Sequence, residues 1–357
     1  MARSKEYLSA FRKFWLIFAA LIGGTATLPA AAQKIELLPG FTQPEDMEFL
    51  PGTGLIIVSN MWSATLTRPA GLSLFDPKTN AVSWLPITNE YEKGWGAADC
   101  TTPLPRIGPH GIHLKKRRDG RLELFVVNHA DRESIEMLEI KVDAPGPRAI
   151  WRGCTVMPNP EGTRGFNDVA GLRDGGFIAT VPIVPAIYKA NGNDPRNGKD
   201  SGYIVEWHPG GTVVELPDSH APFPNGVQLS DDEKTLYFNA WTALEVRRYD
   251  RAAGRVTGHL TLDFMPDNLA LRPDGKILAA GITDIVGFST DPSCPKFDGI
   301  CAKPFGVAVI DPRKWTATDI YHAGAAVLAN ASIALQQGKT LYIGAFRGEH
   351  LLKVRLR

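Results

Sequence analysis

A two-strand pattern recurs six times along this chain and constrains its fold more than any other feature. Each copy has one or two polar residues, a short run with alternating apolar positions, a turn, and a second apolar run. The copies open at Glu45-Asp46, Pro109-His110, Asn167-Asp168, Pro224-Asn225, Asp267-Asn268 and Asn330. Their second runs cover residues 55–58, 122–127, 177–179, 236–238, 277–279 and 341–343. Asp-Gly pairs and related turns between such runs are hairpin signals. The start-to-start spacings of 64, 58, 57, 43 and 63 residues suit four-stranded units joined by loops of uneven length. Glycine (35) and proline (27) together exceed one residue in six, as a turn-rich chain requires. An all-β fold is expected: one six-bladed β-propeller over residues 33–357 with a central metal site. Two separate domains, or an open β-sandwich array, fit the spacing less well. Residues 323–335 are rich in alanine, yet the repeat register predicts strand there.

In a propeller the same position of every inner strand faces one central channel. The column that precedes the inner strands holds Glu45-Asp46, His110, Asn167-Asp168, Asn225 and Asp267-Asn268. Glu45, Asn167, Asn225, Asp267 and Asn268 supply two carboxylates and three amides, all hard oxygen donors. That set suits Ca²⁺, which takes six to eight oxygens, and suits zinc or copper poorly. Asn-Asp and Asp-Asn are also ordinary turn pairs, so the shared register carries the reading rather than any one dipeptide.

Residues 1–32 read as an export signal: a basic start (Arg3, Lys5, Arg12, Lys13), an apolar core over 14–22, and Ala30-Ala31-Ala32 before Gln33. A soluble periplasmic or secreted protein is expected, without stable membrane insertion after cleavage. An uncleaved anchor is the alternative. Export permits disulfides. Cys294 and Cys301 bracket a short loop, so local closure is the simplest pairing and leaves Cys100 with Cys154; free buried thiols are the alternative. The balance of 39 basic and 38 acidic residues gives a net charge of +1, and no nucleic-acid partner is expected. The basic run Lys115-Lys116-Arg117-Arg118 falls on a hairpin turn and reads as solvated surface. A Gly-x-Ser-x-Gly elbow, a phosphate-binding glycine loop and a His-Glu-x-x-His motif are all missing from the sequence.

The stretches Pro44-Glu45-Asp46, Pro109-His110-Gly111-Ile112, Val126-Val127-Asn128-His129, Phe166-Asn167-Asp168, Pro224-Asn225-Gly226 and Asp267-Asn268 occur in an order that resembles the paraoxonase/arylesterase family. These are six-bladed calcium propellers related to the gluconolactonase and senescence-marker group. The resemblance implies two calcium ions. A catalytic ion would be held by Glu45, Asn167, Asn225, Asp267 and Asn268. A structural ion would be held by Asp46, Asp168 and the backbone carbonyl of Ile112. It also implies hydrolysis of a small-molecule lactone or aryl ester, with His110 taking a proton from water and His129 orienting or relaying. His129 as a buried core histidine is the plainer alternative. His113 is an additional imidazole, expected to face a neighbouring blade. Trp62, Trp241 and Phe346 are candidate walls of a substrate pocket, or equally blade-packing aromatics. The ends carry no cysteine, so the ring is expected to close by pairing 35–38 with the last blade around 351–356. A non-catalytic calcium-stabilised propeller that binds a ligand or partner, a sugar-lactonase of gluconolactonase type and a phosphotriesterase remain open.

Overall fold

The computed structural model describes residues 34–62, 69–158, 165–194, 197–283 and 300–357, with the backbone of 296 and 297. The expected leader and Cys294 lie outside the described residues.

Six sheets follow one another in chain order as the blades of a propeller. Blade 1 runs from its inner strand Pro44–Phe49 through Ile56–Asn60 and Gly71–Asp76 to Ala81–Trp84. Blade 2 begins with Pro109–Lys116 and Leu122–Asn128, then forms a long outer hairpin of Ser134–Asp143 and Gly146–Val156. A fifth strand, Ile87–Asn89, lies parallel to its outer edge, which the repeat pattern did not announce. The inner strands of blades 3 to 6 are Val169–Gly171, Pro224–Leu229, Met265–Leu271 and Ala331–Gln337. All six expected hairpins are therefore the inner two strands of a blade. Residues 323–335 divide into the end of Thr316–Ala323, a turn, and Ala331–Gln337, with no helix.

Closure follows the expected pairing. Ile35–Pro39 lies antiparallel to His350–Arg355, with Leu37 opposite Leu352 and Leu38 opposite Leu351. The first described strand thus completes the sheet of the last blade.

The second strands explain why their sequences are continuously apolar. Successive side chains of a strand face opposite sides, and in a ring of blades both sides are covered. Leu124 and Val126 pack toward Ile57 and Leu72 of blade 1, while Phe125 and Val127 pack toward Val169 and Phe177 of blade 3. Ile178 joins Val227 and Phe238 of blade 4 in the same way.

Cys100 and Cys154 are disulfide-bonded, with Cα atoms 5.4 Å apart, and so pin the loop after Ile87–Asn89 to the outer strand of blade 2. Cys301 is also disulfide-bonded. The basic run is less solvated than its composition implies. Lys115 pairs with Glu233 at 3.1 Å, and Arg117 pairs with Glu123 at 2.7 Å while stacking 4.4 Å above Trp95.

Candidate active site at the channel mouth

Every inner strand is irregular at the position the repeats singled out. Register shifts lie between Pro44 and Asp46, Pro109 and Ile112, Pro224 and Val227, Pro266 and Leu269, and Ala331 and Ile333. In blade 3 the Asn167 N–H donates to the Thr180 carbonyl, and the Thr180 N–H donates to the Asp168 carbonyl, so two residues share one partner. A bulge inserts an extra residue and re-aims the side chains around it. Adjacent residues consequently reach the channel together, where a regular strand would send alternate ones to opposite faces. Proline at four of these strand entries removes a donor where the ladder is already broken. Gly111 and Gly226 sit inside two bulges. A Cβ on Gly111 would overlap Asp168, and one on Gly226 would overlap the Asp267–Asn268 backbone of the next blade.

The upper layer consists of Glu45, Asn167, Asn225, Asp267 and Asn268, between 1 and 8 % exposed. Asn268 Nδ2 donates to Glu45 Oε1 at 2.7 Å, and Asn225 hydrogen-bonds Asp267. Four buried oxygens accept no hydrogen bond among the described residues: Glu45 Oε2, Asn167 Oδ1, Asn225 Oδ1 and Asn268 Oδ1. Buried polar atoms are rarely left this way, and these four belong to the column of residues at the channel mouth. Burial, with Asp46, Asp267 and Asp168 nearby, holds the Glu45 carboxyl well above its usual range. Asp267 is pushed up to about 8, first by burial and then by Asp46. A divalent cation would satisfy the four oxygens and offset both charges, so the residues fit calcium.

The lower layer is built differently. Asp46 Oδ1 accepts the Met47 N–H at 2.8 Å, and its Oδ2 accepts the Ile112 N–H of blade 2 at 2.7 Å. Asp168 repeats this with Val169 and with Val227 of blade 4, both at 2.7 Å. Each carboxylate rivets its own bulge to the next blade. The Ile112 group that meets Asp46 is its N–H, which leaves its carbonyl outside this contact.

His110 stands beside the upper layer, with Nε2 3.7 Å from Glu45 Oε1. Its Nδ1 lies 2.9 Å from His129 Nε2, and His129 Nδ1 lies 2.7 Å from Glu133 Oε2. An ionised carboxylate only accepts, so Glu133 fixes the proton on His129 Nδ1. With that proton on Nδ1, His129 Nε2 can accept from His110 Nδ1–H, the arrangement that turns the His110 Nε2 lone pair toward the channel mouth. Burial first, then His129 and Arg347, keep His110 well below the usual imidazole range and hence neutral. His113 is elsewhere: its Nδ1 accepts the Gly171 N–H of blade 3 at 2.9 Å, as expected of a residue facing a neighbouring blade.

A pocket of about 220 Å³ opens onto this mouth. Glu45, His110, Asn167, Asn225 and Asp267 form its polar part, and Met61, Phe223, Trp241, Ile300 and Phe346 its apolar wall. Trp241 and Phe346 thus take the expected place, and Trp62 does not. The chain turns at Trp62, whose N–H donates to the Pro109 carbonyl and whose ring abuts Gly108, so Met61 presents the side chain instead. Sequence reading missed Glu133, Met61, Phe223, Ile300 and Arg347. An exposed group of Asp263, Asp319 and His322 at the outer edge of blade 5 is separate from this site.

A profile described as the SMP-30/Gluconolactonase/LRE-like region matches residues 74–291, more than half of the chain. The chain belongs to that family. A paraoxonase-like propeller lactonase is consistent with it at the family level, and the match supports a lactonase-type hydrolase. A gluconolactonase from Xanthomonas campestris superposes with a TM-score of 0.52 at 16 % identity, covering 92 % of this chain and 91 % of its own. A luciferin-regenerating enzyme superposes with a TM-score of 0.52 at 13 % identity, covering 90 % and 95 %. At these identities the likeness is one of fold. Among curated proteins, none matches the sequence.

Proposed function

We propose that this SMP-30/gluconolactonase-family chain is a calcium-dependent hydrolase of lactones or aryl esters. The observation that carries the reading is the set of four unsatisfied buried oxygens beside the His110 Nε2 lone pair. Glu45, Asn167, Asn225, Asp267 and Asn268 would hold the ion. Bound calcium supplies Lewis-acid polarisation of the substrate carbonyl. His110 Nε2 takes a proton from water as the water oxygen bonds to the acyl carbon. The ester C–O bond then breaks, and the departing oxygen recovers that proton from His110. His129 and Glu133 hold the imidazole in the tautomer this transfer needs. The second ion implied by the resemblance would share Asp46 and Asp168 oxygens that already accept one amide each. The proposal therefore rests on the ion of the upper layer, four of whose oxygens accept none.

A sugar-lactonase agrees equally with the family. The apolar wall of Met61, Phe223, Trp241, Ile300 and Phe346 favours a less polar lactone or aryl ester over a polyol. One panel separates these readings: γ- and δ-lactones, an aldonolactone and phenyl acetate, each with and without chelator. Turnover of the apolar substrates that chelation removes is the expected result. Absence of turnover on every substrate, with a chelator-sensitive melting temperature, would instead establish a binding module.

Export through residues 1–32 belongs to the same proposal, and the Cys100–Cys154 disulfide supports an oxidising compartment. Amino-terminal sequencing of the exported protein should begin at Gln33.

A further inference from the structure

A bulge takes the residues inside it out of the strand ladder, and their buried carbonyls need another donor. At four blade junctions that donor comes from the preceding blade. Ser59 Oγ of blade 1 donates to the His110 carbonyl of blade 2 at 2.5 Å. The Gly111 N–H of blade 2 donates to the Asn167 carbonyl of blade 3 at 3.2 Å. Asn239 Nδ2 of blade 4 donates to the Asp267 carbonyl of blade 5 at 2.7 Å. Ser332 Oγ of blade 6 donates to the Glu45 carbonyl of blade 1 at 2.6 Å, joined there by Asn268 Nδ2 at 3.2 Å. Ser59 and Asn239 hold one repeat position, since each precedes the partner of its blade's entry proline. Ser332 is itself the bulge residue of blade 6, where the other blades place Glu45, His110, Asn167, Asn225 and Asp267. The side chains of Ser59, Asn239 and Ser332 are fully buried, and none is among those that line the pocket. The carbonyls they and Gly111 fix belong to His110 and to three residues of the upper layer. A residue's carbonyl and its Cβ are set by the same two backbone dihedrals, so a donor that holds the one holds the direction of the other. Reacting groups tolerate displacements of only about 0.5 Å, which makes such a hold consequential.

We propose that Ser332 and Ser59 are positioning residues of the hydrolytic site: Ser332 holds the Glu45 carboxylate toward the cation, and Ser59 holds the His110 imidazole toward the attacking water. Each acts through the backbone of the next blade. The roles rest on the hydrolase reading; the two hydroxyl contacts do not.

The test pairs calorimetry of calcium alone with steady-state kinetics on whichever lactone or aryl ester the wild type accepts. Ser332→Ala should weaken calcium binding roughly 3- to 10-fold, the range for one neutral hydrogen bond, and its kcat should return near wild type once calcium saturates. Ser59→Ala should leave calcium affinity near wild type and lower kcat by roughly the same factor, with KM unchanged. Ser332→Cys and Ser59→Cys keep the shape with a weaker donor. Each should fall between wild type and the alanine variant, and each gives the reading should an alanine variant not fold. Variants that lose stability while keeping wild-type calcium affinity and kcat overturn the positioning roles, and the hydrolase reading stands. So do two variants that change both quantities alike. A wild-type chain that neither binds calcium nor turns over any substrate overturns the hydrolase reading, and the Ser332 role with it. The Ser59 role is then read from the ring ¹⁵N shifts of His110 in the metal-free chain: a change of tautomer balance in Ser59→Ala upholds it, and unchanged shifts overturn it.

Discussion

Glu45 and Asp46 are neighbours in sequence, as are Asn167 and Asp168, yet the two members of each pair live in opposite chemical circumstances. The first members keep a buried oxygen that nothing among the described residues satisfies. The second members spend both oxygens on backbone amides, one of their own bulge and one of the next blade. Both layers are buried and acidic. Burial of a carboxylate therefore does not reveal its task; what it accepts does. The layer whose oxygens are already engaged holds blades together, and the layer whose oxygens are not is the one we propose receives a cation and a substrate.

The two layers should part company under mutation. Asn225→Ala removes one upper oxygen and no blade contact through its side chain except that to Asp267. Turnover of any lactone accepted by the wild type should drop by roughly 10²- to 10³-fold, as when one preorganised group is lost from a reacting centre. The melting temperature in chelator should stay close to wild type. Asp168→Ala leaves the N–H groups of Val169 and Val227 buried without an acceptor. At about 1–3 kcal/mol for each, the expected loss is about 2–6 kcal/mol, read from denaturant unfolding in chelator. Equal stability losses in the two variants would erase the distinction between the layers.

The hairpin frame could be read because Gly and Asp turns punctuate apolar runs six times, and because the channel column follows from strand order alone. The two-layer arrangement could not. It depends on bulges, and a bulge is a mismatch between two strands rather than a property of one. A trace of it was present: Pro44, Pro109, Pro224 and Pro266 each stand at a strand entry, and Gly111 and Gly226 follow where another backbone passes close. Glu133 and Arg347 had no such trace. Glu133 reaches His129 from a loop, where no spacing rule applies. Arg347 meets Gln43 only because the ring closes, 304 positions away in the chain. The displacement of Trp62 from the pocket by Met61 turns on which of two consecutive residues at a strand end faces inward.

Glu133 provides a smaller effect that separates positioning from cation binding. Its carboxylate touches neither the pocket nor the upper layer, and it contacts His129 at 2.7 Å. Glu133→Gln can present an amide N–H to His129 Nδ1 and so favour the wrong tautomer. Turnover should fall roughly 10- to 100-fold, the range for one charged hydrogen bond, with KM and calcium affinity close to wild type. Glu133→Asp should recover part of the rate. The ¹⁵N shifts of the His129 ring should report the tautomer change whether or not substrate is present. A drop in calcium affinity would instead assign Glu133 to the upper layer.

The smallest effect sets the layers against one another through pH. Without a cation, the upper carboxyls Glu45 and Asp267 and the lower ones Asp46 and Asp168 are all held above their ordinary range, chiefly by burial; Asp46 is pushed up to about 7 and Asp267 to about 8. The folded chain then binds more protons than the unfolded chain between about pH 4 and pH 8, so stability falls as pH rises through that window. His113, lowered to about 3 by burial, acts in the opposite sense, but only below the ordinary imidazole pKa near 6.5. Between pH 6.5 and 8 the carboxyls therefore decide the sign. In chelator, the melting temperature should drop on the order of 5 °C from pH 6.5 to pH 8. In saturating calcium the slope should reverse, because the ion requires the ionised oxygens for which protons compete. Asn225→Ala should retain the slope in chelator and lose the reversal. A reversal that survives in Asn225→Ala would place the cation against Asp46 and Asp168 rather than against the upper oxygens.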